Sequence, residues 1–320
     1  MVTRRTALAG MAALAAPLAH APAFAQAPAL AQGKRPWAAQ VPAIRIGLLG
    51  GENDADRLKR YGPYQVLMQE TFGVPVRTVA AADYAGVVQA FAASQIEVAY
   101  MSPGSYASAW LESKGNVIPI LTAQEADGTT SYISVMYTRA DSGITDLAGM
   151  KGKSLAWADP NSASGYLIPR SEFRAAGIDT TTYFSRTGFA GGHEQAVVAV
   201  MGKQYDAGVT WTSGQGDVAQ GYTRGMLRIM VEKKMLDMKD MRIIWRSRPI
   251  ENGPLTVRAD TPKSFQDDMT AFHVGLKTAN PDVFAAINMG TGPGLVPTSH
   301  AAYEPFVDML KAEAADRRRR

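Results

Sequence analysis

The sequence predicts an α/β protein of two lobes, each a mixed, mostly parallel sheet flanked by helices. Short apolar strands alternate with amphipathic helices from Ile44 to Met101, and the same rhythm starts again at Ser154. A length of 320 residues is enough for two lobes of ordinary size with a sizeable buried core. Because parallel strands end at the same edge of a sheet, we expect a ligand where the strand ends of the two lobes face one crevice.

The first α/β segment has the order strand, helix, strand, helix, strand. Apolar and aromatic side chains recur at spacings of three and four from Leu58 to Phe72, which predicts an amphipathic helix that Gly73 ends. The turn Gly50–Asp54 combines glycines with helix-capping residues before that helix. The predicted bounds are strands at 44–49, 74–80 and 97–101, and helices at 57–72 and 84–94.

The second segment follows two further strands at 117–122 and 132–137. A short helix at 144–147 precedes strands at 154–158, 184–187 and 207–210, with helices at 164–176 and 194–201 between them. Strands at 241–245 and 255–257 return, and helices at 262–279 and 301–314 end the fold. The predicted organisation is residues 1–31 as signal peptide and linker, 41–137 plus 250–316 as a discontinuous first lobe, 138–249 as the second lobe and 317–320 as a basic tail.

Composition excludes several classes of function. Apolar residues make up 46% and charged residues 19% of the chain, which is typical of a folded globular protein. There is no cysteine, so a disulfide framework, thiol catalysis and cysteine metal sites are excluded. Of the net charge of +4, Arg4 and Arg5 contribute two and the terminal Arg317–Arg320 four, so the body of the chain carries about −2. A basic face for nucleic acid is therefore not indicated.

The first residues predict export. Arg4 and Arg5 precede an apolar run from Ala7 to Leu18, and small residues at signal-peptidase spacing follow. The run is too short and too rich in alanine to span the hydrocarbon core of a bilayer. We therefore expect cleavage near Gln26 or Gln32 and a periplasmic location, with an arginine pair similar to a twin-arginine signal.

A turn of small hydroxyl residues lies between a predicted buried strand and a helix. The stretch Asp159–Arg170 contains Ser162, Ser164 and Gly165, and the helix begins within it. A strand that ends in such a turn and opens a helix points backbone N–H groups at one spot, which suits an anion with several oxygens. The alternative is ordinary helix capping, for which serine and asparagine are preferred. The turn by itself leaves both explanations open.

Four segments carry a family resemblance: Asp83–Val88 (DYAGVV), Asp141–Ile144 (DSGI), Asp159–Pro169 (DPNSASGYLIP) and Gly191–Glu194 (GGHE). In order and spacing they resemble the phosphonate/phosphite-binding periplasmic solute-binding proteins of ABC transporters, the PhnD-like family. The resemblance covers about residues 44–258. It implies a type II-like periplasmic-binding-protein fold, in which two lobes joined by a hinge close on an oxyanion in the cleft between them.

The resemblance also implies which residues hold the anion. In the family a Ser/Thr/Ser turn, one histidine and two tyrosines surround the phosphonate group. The matching positions, with the turn included, are Tyr84, Tyr132, Ser162, Ala163, Ser164, Gly165 and His193. Ala163 stands where the family has the middle hydroxyl. We expect its backbone N–H to donate instead, and affinity or selectivity to differ from that of the fuller site.

The far side of the site departs from the family as well. In the members that bind aminoalkylphosphonates, carboxylates on this side hold the ammonium group of the ligand. In the segments of this sequence that match, neither of the two acidic positions is kept. A buried ammonium without a carboxylate is costly, which favours phosphite, a small alkylphosphonate or a related tetrahedral oxyanion as ligand. Glu251 lies two residues from one of these positions. Further candidate ligand contacts are Ser102, Ser105, Trp211, Glu251 and Asn252.

The predicted function is that of a substrate-binding component of an ABC importer, and not of an enzyme. We expect it to capture the oxyanion by lobe closure and to deliver it to an inner-membrane permease, as a monomer, without cofactor, metal or nucleic acid. One alternative is the same fold binding a sulfonate or another organic anion. Another is an exported hydrolase that uses Ser162 or Ser164 with His193, although the sequence has no G-x-S-x-G elbow.

Overall fold

The computed structural model describes residues 35–319, and the predicted signal segment and its cleavage sites lie outside this range. The described residues form two lobes, each with one sheet and covering helices. The strands are β1 (Ile44–Leu48), β2 (Val76–Ala80), β3 (Val98–Tyr100), β4 (Val117–Gln124), β5 (Ser131–Arg139), β6 (Ser154–Trp157), β7 (Arg186–Phe189), β8 (Ala207–Thr212), β9 (Met241–Arg246), β10 (Ile250–Glu251), β11 (Pro254–Arg258) and β12 (Gly294–Pro297). The α-helices are α1 (Asp54–Phe72), α2 (Tyr84–Ala92), α3 (Pro103–Glu112), α4 (Ile168–Ala175), α5 (Thr180–Tyr183), α6 (His193–Met201), α7 (Met226–Glu232), α8 (Lys263–Ala279), α9 (Pro281–Asn288) and α10 (Glu304–Arg319).

The first lobe is built on the sheet β12-β4-β11-β3-β1-β2. β2 and β3 flank β1 and run parallel to it, because the helices α1 and α2 connect the three strands. β11 pairs antiparallel with β3 and β4, and β12 pairs antiparallel with β4. The buried face of α1 includes Tyr61, Tyr64, Met68 and Phe72, at the spacing that the sequence predicts. Leu58 departs from that prediction, since it is 44% exposed.

The second lobe repeats this arrangement with the sheet β10-β5-β8-β6-β7, in which β9 also pairs with β5. β7 and β8 are parallel to β6, while β5 is antiparallel to β8, β9 and β10. Each lobe thus has a parallel triplet, with its first strand in the centre, extended by antiparallel strands. The sheets are mixed, as predicted. They are not mostly parallel, because the strands near the two chain crossings follow one another without a crossover helix and therefore pair antiparallel.

The chain passes between the lobes twice, and strand pairing shifts both predicted boundaries. β4 ends in the first sheet at Gln124, and β5 already belongs to the second, so the first crossing precedes Ser131 instead of following residue 137. On the return, β10 still pairs with β5, and the first sheet resumes at Pro254. A continuous apolar strand has the same pattern in either lobe, which explains why the sequence misplaced β5.

Several helices differ from their predictions. No helix was predicted between the strands at 97–101 and 117–122, but α3 lies there, with Ser102 as N-cap and a proline in its first turn. Residues 144–147 are not helical, since Asp146 caps the N–H of Gly149 in a turn. The predicted helix from Ser164 begins with a π-helical turn, Ala163–Leu167, before α4. α7 and α9 were not predicted. α10 extends to Arg319, so the described part of the predicted basic tail is helical.

The apolar core continues across the cleft. One buried cluster lies within the first lobe and two others within the second. A further cluster unites Met101 and Tyr106 of the first lobe with Tyr132 and Ala163 of the second. Among residues 35–319, no helix combines the length and the apolar character that crossing a membrane requires.

Candidate functional site

Helix starts from both lobes meet at the cleft. α2 and α3 begin at Tyr84 and Pro103 in the first lobe, and the π-helical turn and α6 begin at Ala163 and His193 in the second. Residues at or beside these starts line one cavity: Tyr84, Ser102, Pro103, Ser162, Ser164 and His193. The first N–H groups of a helix lack intrahelical acceptors and form the positive end of its dipole, so this geometry favours an anion.

Ser162 holds the serine turn in shape. Its Oγ accepts the N–H of Gly165 at 2.9 Å and lies 3.1 Å from Nε2 of His193. Ser162 and Ser164 are 1% and 2% exposed, so the turn is packed inside the molecule. A Cβ at position 165 would lie 2.8 Å from Ser162 Oγ and 2.9 Å from His193 Cε1, which requires glycine there. The two explanations of the turn are compatible, because Ser162 caps a helical turn and lines the cavity at once.

His193 is a buried, uncharged ring. Its Nε2 faces Ser162, and its Nδ1 lies 3.2 Å from the hydroxyl of Thr210 on β8. Burial lowers the pKa of His193 to about 3. At neutral pH the ring therefore carries one N–H donor and one acceptor nitrogen, and no charge.

Two tyrosines from opposite lobes add phenol donors. Burial raises the pKa of Tyr84, and it raises that of Tyr132 to about 12, so both hydroxyls keep their protons at neutral pH. The Tyr84 phenol lies near Ser162 and the Tyr132 phenol near Ser164, and these serines partly offset the rise in the two pKa values. The backbone N–H of Tyr84 also donates to Oδ2 of Asp159 at 3.2 Å, which connects α2 to the serine turn.

The backbone N–H of Ala163 has a partner other than the expected anion. It donates to Oγ of Ser102 at 3.1 Å, across the cleft. Ser102 makes no side-chain cap bond to its own helix. The Ala163 N–H therefore joins the two lobes, and the donors that remain for an anion at this turn are mainly side-chain hydroxyls.

The further candidates divide into two groups. Trp211 and Asn252 line the cavity along with Ser102, whereas Ser105 and Glu251 do not. The Ser105 hydroxyl donates to the carbonyl of Ser102, and Glu251 accepts from the Thr130 hydroxyl at 3.3 Å. The expectation that Glu251 reaches the ligand thus finds no support in the geometry.

Part of the first lobe lines the cavity without having been predicted to do so. These residues include Arg57, Arg60, Tyr61 and Tyr100, and Glu52 lies with them. Arg60 forms an ion pair with Glu52 and donates to the carbonyl of Ala286 at 3.1 Å. Arg57 is 1% exposed and donates to backbone carbonyls. Positions 57, 61, 64, 68 and 72 share one face of α1, but their spacing does not show which of these side chains reach the cavity.

Direct contacts across the cleft hold the lobes in a closed arrangement. Nζ of Lys233 in the second lobe lies 2.8 Å from Oδ2 of Asp56 on α1 and 2.9 Å from Oε2 of Glu194. The other oxygen of Glu194 accepts the N–H of Asn53 at 3.3 Å. A Cβ on Gly192 would lie 2.0 Å from the Cα of Gly51, so the backbones touch there. The candidate anion site therefore lies between lobes that are in direct contact.

The Ser162–His193 pair lacks the third member of a hydrolase triad. That member orients the histidine through Nδ1 and is ordinarily a carboxylate, but here the partner is the Thr210 hydroxyl. A pKa of about 3 also leaves His193 a weak base at neutral pH. Across residues 35–319, no group of three or more His, Asp or Glu side chains is placed to hold a metal ion. The arrangement suits holding an oxyanion.

Two similar lobes that face one cleft of uncharged donors define a two-lobed solute-binding protein. The chain belongs to the family described as "ABC transporter, phosphonate, periplasmic substrate-binding protein", whose model matches residues 46–313. The family resemblance inferred from the sequence is thereby confirmed.

Two relatives show the extent of the similarity. The phosphonates-binding periplasmic protein of Escherichia coli (strain K12) is 29% identical over 239 residues, which cover 73% of this chain and 66% of that protein. The phosphate-import protein PhnD of Mycolicibacterium smegmatis is 27% identical over 218 residues, which cover 64% of this chain and 62% of that protein. This chain thus spans just under two thirds of the length of each relative.

A solved structure shows the same fold. PhnD1 from Prochlorococcus marinus, in complex with methylphosphonate, matches with a TM-score of 0.72 at 16% identity, over 85% of this chain and 98% of that one. The likeness confirms the predicted two-lobed α/β architecture.

Proposed function

We propose that this protein binds a phosphonate or a related tetrahedral phosphorus oxyanion between its lobes and delivers it to the permease of an ABC importer, as a periplasmic component. One observation carries the proposal: Ser162, Ser164, Tyr84, Tyr132 and His193, which lie at or near helix starts of both lobes, line one cavity between the lobes. The family to which the chain belongs and the ligands named for its relatives support it.

Uncharged donors suit a protein that must release its ligand. A hydrogen bond to a charged oxygen contributes about 1.5–3 kcal/mol, so a few of them hold an anion firmly without a buried cation. The donors come from both lobes, with Tyr84 on the first and Ser162 on the second. Opening the cleft therefore separates the donor set and weakens binding, and a permease that favours the open form thereby frees the ligand.

Melting temperature in the presence of candidate ligands tests the proposal. The panel is phosphite, methylphosphonate, phosphate, sulfate and taurine, each added to the mature chain. A ligand at 100 times its dissociation constant stabilises the folded protein by about 2.7 kcal/mol, which raises the melting temperature by about 5 °C. We expect such a shift with phosphite or methylphosphonate, and no comparable shift with sulfate.

Serine substitutions connect the shift to the site. The double variant Ser162→Ala with Ser164→Ala should lose the phosphonate-induced shift, because two hydroxyl donors are removed. Ser113→Ala is the matched control, since the buried Ser113 hydroxyl has no hydrogen-bond partner among the described residues and does not line the cavity. A shift that survives the double substitution contradicts the proposed site.

The same panel separates the alternatives. A shift with taurine alone indicates a sulfonate-binding protein of the same fold. Turnover of a chromogenic phosphoester that stops in the Ser162→Ala variant, without any shift from the phosphorus oxyanions, indicates a hydrolase. The hydrolase result is not expected, because the geometry offers anion donors without an activated base. The sulfonate result is not expected, because the family and the relatives are described by phosphorus ligands.

A further inference from the structure

We propose that the cavity takes an organophosphonate whose substituent is uncharged and carries a hydroxyl group, and that Tyr100 is a specificity-determining residue for that substituent. The inference rests on the proposed function, because it concerns the part of the same cavity that extends into the first lobe, away from the serine turn.

The cavity is larger than a phosphonate group requires. It offers about 160 Å³ of space that the centre of a water molecule can reach. One water has a share of about 30 Å³ in the liquid, so there is room for at least about five waters. A phosphite or methylphosphonate ion displaces only a few of them. The cavity is also lined by aromatic and apolar side chains of the first lobe, Tyr61, Tyr100, Met101, Ala123, Ile287 and Met289.

This part of the cavity presents no unpaired charge. Arg57 pairs with Asp54 at 2.7 Å, Arg60 pairs with Glu52, and Nε of Arg224 lies 3.2 Å from Oε1 of Glu125. Of the described residues that line the cavity, Glu52 is the one carboxylate, and Arg60 already offsets its charge. An ammonium or a carboxylate on the substituent would lose its hydration without gaining an unpaired opposite charge. An uncharged substituent is therefore favoured.

Three polar atoms of this lining have no hydrogen-bond partner. The hydroxyl of Tyr100, Nε of Arg57 and Oε2 of Glu52 are buried, and none of them has a partner among the described residues, although all three side chains line the cavity. Such groups are costly to bury unless a ligand or water completes them. A hydroxyl donates and accepts, so it suits any of these atoms, whereas an alkyl substituent leaves all three without a partner.

Three phosphonates of nearly equal size test the inference by calorimetric titration of the mature chain. They are ethylphosphonate, 2-hydroxyethylphosphonate and 2-aminoethylphosphonate, with methylphosphonate and phosphite as small references. We expect 2-hydroxyethylphosphonate to bind about tenfold more tightly than ethylphosphonate, which is the gain from one additional hydrogen bond. We expect 2-aminoethylphosphonate to bind more weakly than the hydroxyl compound.

A phenylalanine pair assigns the gain to Tyr100. Tyr100→Phe should bring the affinity ratio of the hydroxyl and ethyl compounds close to one, without lowering the melting temperature, because the lost hydroxyl has no partner within residues 35–319. Tyr137→Phe is the matched control. Its hydroxyl is also buried without a partner in this range, but Tyr137 does not line the cavity, so the ratio should stay as in the wild type.

Each outcome decides one question. Equal affinities for the ethyl and hydroxyethyl compounds, or an unchanged ratio in Tyr100→Phe, overturn the inference and leave the proposed function standing. Binding of phosphite alone also overturns the inference and leaves the proposed function standing. Tighter binding of 2-aminoethylphosphonate than of 2-hydroxyethylphosphonate contradicts the inference that the substituent is uncharged. Failure of all five compounds to bind overturns the proposed function itself.

Discussion

Single residues of the proposed anion site are buried polar groups that form hydrogen bonds with one another in the absence of a ligand. Ser162 contacts His193, and Thr210 fixes the far side of that ring. The hydroxyl of Ser134 donates to the carbonyl of Ser164 at 2.7 Å, which secures the turn from β5. Side chains held in this way lose little further freedom when an anion binds, so more of the interaction energy remains as affinity.

Gly165→Ala should remove binding by crowding this arrangement. The new Cβ would lie 2.5 Å from Cβ of Ala158 and 2.8 Å from Oγ of Ser162, so the serine turn must shift. Overpacking of this kind costs about 1–3 kcal/mol of stability. We expect at least tenfold weaker phosphonate binding, measured by calorimetric titration, in a variant that still unfolds cooperatively.

Gly275→Ala is the control for that substitution. Position 275 is inside α8, and a Cβ there meets nothing within 4 Å. Alanine in a helix interior is favoured over glycine by about 0.5–1 kcal/mol, so this variant should be slightly more stable and bind as the wild type does. Wild-type affinity in Gly165→Ala would show that the serine turn is not part of the site.

Two buried histidines should make the protein less stable in acid. Burial lowers the pKa of His273 to about 4 and that of His193 to about 3. Both lie below the unfolded value of about 6.5, so the unfolded chain binds more protons and the free energy of unfolding falls as the pH drops below that value. Between pH 7 and pH 5 the loss should be about 2 kcal/mol for each histidine.

Urea unfolding at a series of pH values measures this loss. His273 contacts the Tyr64 hydroxyl at 2.7 Å and the Met269 carbonyl at 2.6 Å, both inside the first lobe and away from the anion site. Its contribution should therefore persist in a variant that no longer binds phosphonate, such as Ser162→Ala. An unchanged free energy of unfolding from pH 7 to pH 5 would contradict the prediction.

At the scale of elements, the sequence reveals helix starts better than the contacts that shape them. The glycines and serines before α6 and α4 predict turns because they cap helices and adopt unusual backbone angles. The π-helical turn was not predictable from them, since it depends on tertiary contacts such as the N–H of Ala158 donating to the carbonyl of Gly165 at 3.0 Å. α3 was missed for a similar reason. Its first turn contains Gly104, which suggests a loop in the sequence, but glycine stands there because Asn161 of the other lobe packs against it.

The first-lobe part of the cavity was also beyond the sequence. An arginine on a helix predicts an exposed position, and the burial of Arg57 depends on carbonyls from separate segments, Leu48 and Ala81. The serine turn, Tyr84 and His193 were proposed because they lie in family motifs, and Tyr132 was assigned by its position relative to them. Residues outside such motifs carry no comparable signal in a single sequence.

Lys233→Met should weaken ligand binding by favouring the open form. Lys233 bridges Asp56 on α1 and Glu194 on α6, and the contact with Asp56 exists only when the lobes are together. Partly exposed ion pairs contribute up to about 1 kcal/mol, which corresponds to about fivefold weaker binding. Calorimetric titration gives the affinity, and small-angle scattering without ligand should show a larger radius of gyration.

Lys239→Met provides the comparison. Lys239 pairs with Asp237 at 2.7 Å within the second lobe, and both side chains are exposed. This variant should bind and scatter as the wild type does, and raising the ionic strength should reduce the difference between the two variants. Equal effects of both substitutions would mean that the Lys233 contacts do not govern closure.

For the whole molecule, the two chain crossings are joined by one buried polar cluster. Glu125 lies just after β4 on the outward crossing, and Asn252 lies on the return. Arg224 of the second lobe contacts both, and its Nη2 lies 2.6 Å from Oδ1 of Asn252. The guanidinium also covers the ring of Trp211 at 5.1 Å, so the cluster forms one wall of the ligand cavity.

Glu125→Ala should therefore destabilise the whole protein. Glu125 is 0% exposed and Arg224 is 6% exposed, so removing the carboxylate leaves a guanidinium buried without its charge partner. Such a change costs about 3–5 kcal/mol, whereas replacing both partners by apolar residues, Glu125→Leu with Arg224→Met, should recover most of the loss. Asp267→Ala, which breaks an exposed pair on α8, should cost less than about 1 kcal/mol. The free energies of unfolding in urea test this order, and a cost for Glu125→Ala no greater than for Asp267→Ala would show that the cluster does not hold the crossings together.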